Sequence, residues 1–235
     1  MKGAMKSLAV ITARGGSKRI PRKNVKEFCG KPILAYSIEA ALESGVFDEV
    51  MVSTDDAEIA QIAEKYGAKV PFMRSAATSD DYATTRDVLI EVIQRYQQDG
   101  IEFDHLCCIY PTAPFVTADK LKKAMDIHIQ QDADSVCPVV RYSFPPQRCY
   151  VIQDGRLEYK WQEHILSRSQ DLEPYYHDCG QFYTYKTDVI LHKERTQWKE
   201  IPMIMSELEV QDIDNEDDWE IAELKYHYLK EKGKL

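Results

Sequence analysis

The sequence predicts an α/β fold: a mostly parallel, twisted sheet with helices on both faces. Short continuous apolar runs recur along the chain, each gives way to a stretch with helical periodicity, and the joints between them are polar or carry glycine. Residues 8–13 form the first such run and read as a buried strand. Lys2 and Lys6 precede it, but Arg14 ends the apolar stretch too early for the core of a signal peptide. Residues 32–43 then place Leu34, Ile38, Ala41 and Leu42 at the helical period.

The same unit repeats. The run 50–53 leads through Asp55 and Asp56 into an amphipathic stretch with Ile59, Ile62, Ala63 and Tyr66, stopped by Gly67. A short apolar run at 70–73 precedes a polar stretch, 75–85, which opens a helix with Val88, Leu89, Val92, Ile93 and Tyr96 on one face. Residues 106–110 read as a strand that enters a proline-rich turn, and Thr117 is the expected N-cap of the following helix, with Leu121, Ala124, Met125 and Ile129.

From 142 to 179 the alternation breaks. Pro145 and Pro146 open this segment, Asp154-Gly155 is a hairpin turn between 150–153 and 157–161, and the remainder is polar and aromatic. The expected organisation is a core of 1–141 and 180–235 with an inserted β-rich arm, 142–179, whose Tyr, Trp and Arg suit a subunit contact or a lid. The core resumes with a strand at 181–185, a helix from Thr187 and a strand at 201–205. A final helix is N-capped by Asn215 and carries Glu216, Asp217 and Asp218 at its positive end.

Composition narrows the function. No apolar run approaches the roughly 20 residues of a membrane helix, and 44% hydrophobic with 29% charged residues is a globular balance. The six cysteines lack CxxC pairs and histidines at zinc spacing, so reduced structural thiols in a cytoplasm are expected. A net charge of −9 argues against a nucleic-acid partner. Against that acidic background Arg14, Lys18, Arg19, Arg22, Lys23 and Lys26 concentrate six cations in thirteen residues, a pattern suited to a small polyanion.

This cationic island follows the first strand, where open α/β sheets bind ligands. Gly15 and Gly16 would let backbone N–H groups approach a phosphate, while the cations supply charge along a triphosphate. Neither GxxxxGK[ST] nor GxGxxG is present, which argues against P-loop kinases and dinucleotide oxidoreductases. The same segment also reads as a solvated basic loop. A second constellation is Asp212-Ile213-Asp214: in extended backbone both carboxylates share one face and suit a hard cation such as magnesium, although acidic pairs also cap helices. Arg74 and the loop 79–85 offer contacts for a base or ribose, with Thr84 or Thr85 alternatively a helix cap.

The order ARGGSKRIPRKN, VSTDD, an SDD loop, a P-T-x-P turn and DID before the last helix resembles the acylneuraminate cytidylyltransferase family along nearly the whole chain. The resemblance implies a Rossmann-like fold of the nucleotide-diphospho-sugar transferase type, CMP transfer from CTP to a nine-carbon acid sugar with Mg2+, and a homodimer. It assigns Arg14, Ser17, Lys18 and Lys23 to the triphosphate, with Gly15 and Gly16 in the same loop. Asn24, Arg74, Ala83 and Thr85 go to cytidine, Asp81 is a further CTP contact, and Asp212 and Asp214 go to the metal. Arg14, Lys18, Lys23, Asp212 and Asp214 are then the catalytic set. FCGKPILAYSIEAAL, CCIYPTAPFVT and RSQDLEPYYHDCGQFY resemble members that act on pseudaminic acid. The sialic acid members carry Gln before the P-T-x-P turn and Arg after it, whereas Tyr110 and Phe115-Val116 stand here. Tyr110, Arg148, Arg168, Gln181 and Tyr183 are the expected sugar contacts, with Arg141 a further cation. The competing readings are the same reaction on legionaminic, sialic or another ulosonic acid, a glycosyltransferase, and a non-catalytic nucleotide-binding module.

Overall fold

A computed structural model describes residues 5–235, so Lys2 lies outside the described residues. Strand β1 (Ser7–Thr12) is followed by the basic loop and a small hairpin, β2 (Glu27–Phe28) and β3 (Lys31–Pro32). Helix α1 (Ile33–Ser44), β4 (Glu49–Ser53) and α2 (Ala57–Lys65) come next. Then follow α3 (Thr85–Gln98), β5 (His105–Ile109), α4 (Ala118–Gln130) and β6 (Ser135–Arg141). Beyond β6 lie the hairpin β7 (Tyr150–Gln153) and β8 (Arg156–Tyr159), then β9 (Tyr176–Asp178), β10 (Phe182–Lys186), α5 (Thr187–His192), β11 (Glu200–Ile204) and α6 (Glu216–Glu231).

The central sheet runs β11-β6-β10-β5-β1-β4, with β9 added on β6. β1 pairs in parallel with β4 and β5, and β11 with β6, while β10 is antiparallel to both of its neighbours. Five of the six strands along that path therefore point the same way. The pleat explains the two layers of helices. Ala9 and Ile11 of β1 pack with Leu34 and Ile38 of α1, Ile59 of α2 and Leu121 of α4. Leu8 and Val10 face the other way, into Leu89, Val92 and Tyr96 of α3 and Ile190 of α5.

A third cluster positions the site. Phe28 of the small hairpin meets Tyr36, Trp219 and Tyr226 edge-on at 5.5 to 5.6 Å, and Ile20, Phe115 and Ile213 complete the group. These contacts join α6 to the basic loop, although nearly 200 residues separate them in sequence.

Two runs differ from what the sequence pattern marks. The apolar run at 70–73 forms no strand; only an isolated bridge, Met51 with Lys69, lies beside it. The sequence reading passed over β6, whose Pro138 supplies no N–H to a ladder, a feature that normally demotes a strand. In the arm, β7 and β8 pair only with each other among the described residues.

At the edge opposite the site, His105 Nδ1 lies 3.0 Å from His128 Nε2, and His128 Nδ1 lies 2.9 Å from Thr184 Oγ1. Burial lowers both imidazoles, His128 to about 4, with the neighbouring His105 adding to the effect. Both are neutral in the folded protein, while the unfolded chain takes up protons below about 6.5. Their contribution is therefore complete above that pH and is lost as pH falls towards 4. From His128 the loss should reach at most about 3 kcal/mol. Denaturant unfolding of wild type and His128→Gln between pH 7 and 4 measures it; the variant should have the shallower pH dependence, and identical slopes would refute the assignment.

Candidate active site

The loop after β1 is built from both ends. Ala13 N–H continues the ladder by donating to the Ser53 carbonyl at 3.0 Å. Gly15 N–H donates to Asp55 Oδ1 at 2.8 Å, and a Cβ at Gly15 would sit 2.8 Å from Asp56 Oδ2. Gly15 is thus required by close packing against the β4–α2 joint, and its N–H is already engaged, contrary to the expected phosphate contact. Gly16 has open space around it, and neither glycine lines the cavity described below. Asn24 is buried and its side-chain amide donates to the Arg14 carbonyl at 2.8 Å, which fixes the loop's return.

Two of the six cations are structural. Arg22, in left-handed backbone, pairs with Asp56 at 2.5 Å and with Glu58, while Asp56 also caps α2. Lys26 pairs with Glu216 at 2.6 Å and lies 4.5 Å from the centre of the Trp219 ring, tying the loop to α6. Arg14, Lys18, Arg19 and Lys23 remain, and all four line a cavity of about 580 Å³ at the carboxyl edge of the sheet. Ser17, Asn24, Arg74, Asp81, Ala83, Thr85 and Tyr110 also line it.

The opposite wall is the loop entering α3. Thr84 forms a capping box with Asp87, which settles the choice between the two threonines: Thr84 caps, and Thr85 Oγ1 faces the cavity 3.5 Å from the Tyr110 hydroxyl. Asp81 pairs with Arg14 at 2.9 Å and with Lys18, so its carboxylate ties this wall to two cations of the basic loop. Arg74 is nearly buried and spans Ser53, donating to its Oγ at 3.1 Å and to its carbonyl at 2.6 Å.

Asp212 and Asp214 stand beside this cavity because Ile213, fully buried, anchors their segment in the third core cluster. Lys23 joins the two features. Its Nζ donates to the Ile213 carbonyl at 2.5 Å and lies 3.9 Å from Asp214 Oδ1. Asp214 also pairs with Arg19 at 2.6 Å. Burial lowers the Lys23 ammonium, against the opposing pull of Asp214 and Asp212. The Asp212 carboxyl is raised, first by burial and then by Asp214. Asp218 is taken up in capping, accepting from the N–H groups of Asp214 and Asn215 at 2.9 and 3.0 Å.

A smaller cavity of about 250 Å³ adjoins the first through Thr85 and Tyr110. Tyr183, Tyr185 and Trp198 form its aromatic wall, with Arg195 and Asp178 also lining it. Tyr183 packs edge-on to Tyr110 at 5.5 Å. Of the expected sugar contacts only Tyr110 and Tyr183 meet here. Gln181 is buried, with its amide donated to the Glu209 carbonyl at 2.6 Å, and lines neither cavity. Arg148 and Arg168 have local partners within the arm, Ser169 at 3.3 Å and Asp171 at 2.7 Å, and also line neither. Arg141 borders a separate cleft. The sequence reading missed Tyr185, Arg195 and Trp198; the period-2 pairing of Tyr183 with Tyr185 was the one local signal.

A family model described as cytidylyltransferase matches residues 8–231. The chain belongs to the cytidylyltransferase family. This cytidylyltransferase is 48% identical over 180 residues to the pseudaminic acid cytidylyltransferase of Campylobacter jejuni serotype O:2, covering 76% of the chain and 78% of that relative. It is 41% identical over 228 residues to the enzyme of the same name from serotype O:23/36 of that species, covering 94% and 97%. In fold it is similar to CMP:2-keto-3-deoxy-manno-octonic acid synthetase, solved with CTP, at a TM-score of 0.68 and 19% identity, over 95% of this chain and 99% of that one.

Proposed function

We propose that this cytidylyltransferase transfers CMP from CTP to pseudaminic acid and releases pyrophosphate. Lys23 carries the reading, because it bridges a cation-lined cavity and a carboxylate pair and so makes them one reaction centre. The anomeric hydroxyl of the sugar attacks the α-phosphorus, the bond from that phosphorus to the bridging oxygen breaks so that the oxygen leaves with pyrophosphate, and the hydroxyl proton passes to solvent water. Arg14 and Lys18 hold the departing pyrophosphate, Lys23 neutralises the α-phosphate, and Ser17 adds a hydroxyl beside them. Arg74, Ala83 and Thr85 bound the space for cytidine.

Asp212 and Asp214 would hold Mg2+. Two carboxylates are a partial ligand set of the type that ion takes, to be completed by phosphate oxygens and water; here Asp214 is paired with Arg19, and no group of three or more His, Cys, Asp or Glu side chains that could hold a metal exists among the described residues. Bound there, Mg2+ supplies charge neutralisation at the reacting phosphates. The aromatic annex around Tyr183, Tyr185 and Trp198, with Arg195 for a carboxylate, suits an acid sugar bearing apolar acyl groups. No helix among the described residues is long and apolar enough to cross a membrane, and six free thiols fit a reducing cytoplasm.

The reading extends to a homodimer through the arm. Phe144, Ile152, Leu157 and Leu166 are exposed there, and the two-stranded hairpin has no further strand to pair with among the described residues. Sedimentation equilibrium should find a dimer for wild type and a monomer for Leu157→Glu/Leu166→Glu; a monomeric wild type would refute it. The choice of sugar is tested by kcat/KM with pseudaminic, legionaminic and sialic acids at saturating CTP. Pseudaminic acid should be preferred by at least about tenfold, a difference of about 1.4 kcal/mol; equal or reversed preference would overturn it.

A further inference from the structure

Between the aromatic annex and the carboxylate pair lies Asp178, at the end of β9, and it borders both the annex and the acidic cleft that holds Asp212 and Asp214. Its carboxylate is held by neutral donors: the Tyr183 hydroxyl lies 2.7 Å from each oxygen, and Gly180 N–H donates to Oδ1 at 2.7 Å. No Lys or Arg pairs with it among the described residues, unlike Asp81 and Asp214, which are taken up in ion pairs. An ionised carboxylate offers about four acceptor positions, so two donors leave it capacity.

The supports on either side are packed or turn-forming residues. Tyr183 is buried to 6% exposure and packs on Tyr110, which also lines the nucleotide cavity. On the other side Gly180 has φ +62°, and a Cβ there would lie 3.7 Å from Asp212 Cγ. The turn therefore lies beside the Asp212 carboxylate. Tyr110, Tyr183, Asp178, Gly180 and Asp212 form a continuous row from the nucleotide cavity to the carboxylate pair. A sugar bound in the annex beside Tyr110 would lie along this row.

We infer that Asp178 is a specificity-determining residue that accepts a hydrogen bond from an N–H or O–H group of the acceptor sugar, with Tyr183 orienting its carboxylate. This rests on the function proposed above. A carboxylate with exposed acceptor capacity and no cation is a recognition group for a neutral donor, and the aromatic wall beside it receives the apolar substituent of that donor group.

The test is steady-state kinetics of CMP transfer, with CTP and pseudaminic acid each varied, for wild type, Asp178→Asn and Tyr183→Phe. Asp178→Asn should raise KM for the sugar about tenfold and leave KM for CTP within about twofold, as loss of one charge-assisted hydrogen bond requires. Tyr183→Phe should raise the sugar KM about threefold, since the carboxylate stays but loses its orienting hydroxyl. Thermal midpoints report folding, and if Asp178→Asn fails to fold, Tyr183→Phe carries the test. An unchanged sugar KM in an active, folded variant, or equal rises in both KM values, would overturn the inference alone. Absence of turnover by wild type would remove the proposed function, and the inference with it.

Discussion

Replacing Lys23 with alanine is expected to slow pyrophosphate release by about 100- to 1000-fold, the usual loss for removal of one preorganised donor at a developing charge. The ammonium is committed to the junction of the site, between the Ile213 carbonyl and Asp214. Burial already disfavours its charge, so the fold keeps a cation there against its own solvation. Stopped-flow or coupled detection of pyrophosphate at saturating CTP measures the effect, and Lys23→Arg should recover only part of the rate, because a planar guanidinium does not replace a compact ammonium. Near-normal turnover in Lys23→Ala would sink the assignment. A large fall in stability would not support it either, since the stem keeps part of its surface exposed and its loss should cost about 1 kcal/mol.

The second large effect belongs to Asp212. Asp212→Asn is expected to lower turnover by about 1000-fold, equivalent to about 4 kcal/mol at the barrier. Its thermal midpoint should stay level or rise. The sign follows from the raised Asp212 carboxyl: burial and Asp214 disfavour the charge in the folded protein, so near neutral pH that charge destabilises the fold and its removal relieves it. Loss of activity together with retained or increased stability separates a reacting role from a structural one. A variant that is both active and less stable would place Asp212 among the capping residues of α6.

Much of the core was legible because its elements are local. The strands before Arg14 and Tyr110 are continuous apolar runs, and Thr117 and Asn215 cap helices as their side chains dictate. β6 escaped notice because Pro138 interrupts its run, and the direction of β10 is a property of its neighbours, with no local mark. The site divides in the same way. Arg14, Lys18 and Lys23 stand out as a charge cluster in an acidic chain, and the Asp212-Ile213-Asp214 pattern is explained by the fully buried Ile213 between its two polar neighbours.

Other parts of the site depend on distances that no local pattern encodes. Gly15 looked like a phosphate-cradling glycine because its crowding partners, Asp55 and Asp56, come from the next strand-helix joint. Arg22 and Lys26 looked like further ligand cations until Asp56 and Glu216 were seen to hold them. Arg195 and Trp198 reach the annex from a segment whose sequence has no periodicity to mark it.

The central claim is that the cationic cavity and the carboxylate pair act together on CTP and an acid sugar. Its most direct measurement is pyrophosphate release by the purified chain with CTP, pseudaminic acid and Mg2+, with each omitted in turn and the CMP-sugar identified by mass. Stoichiometric pyrophosphate and CMP-pseudaminic acid, formed only when all three are present, is the predicted result. Pyrophosphate formed at the same rate without the sugar, or no CMP-sugar in the complete mixture, would contradict it.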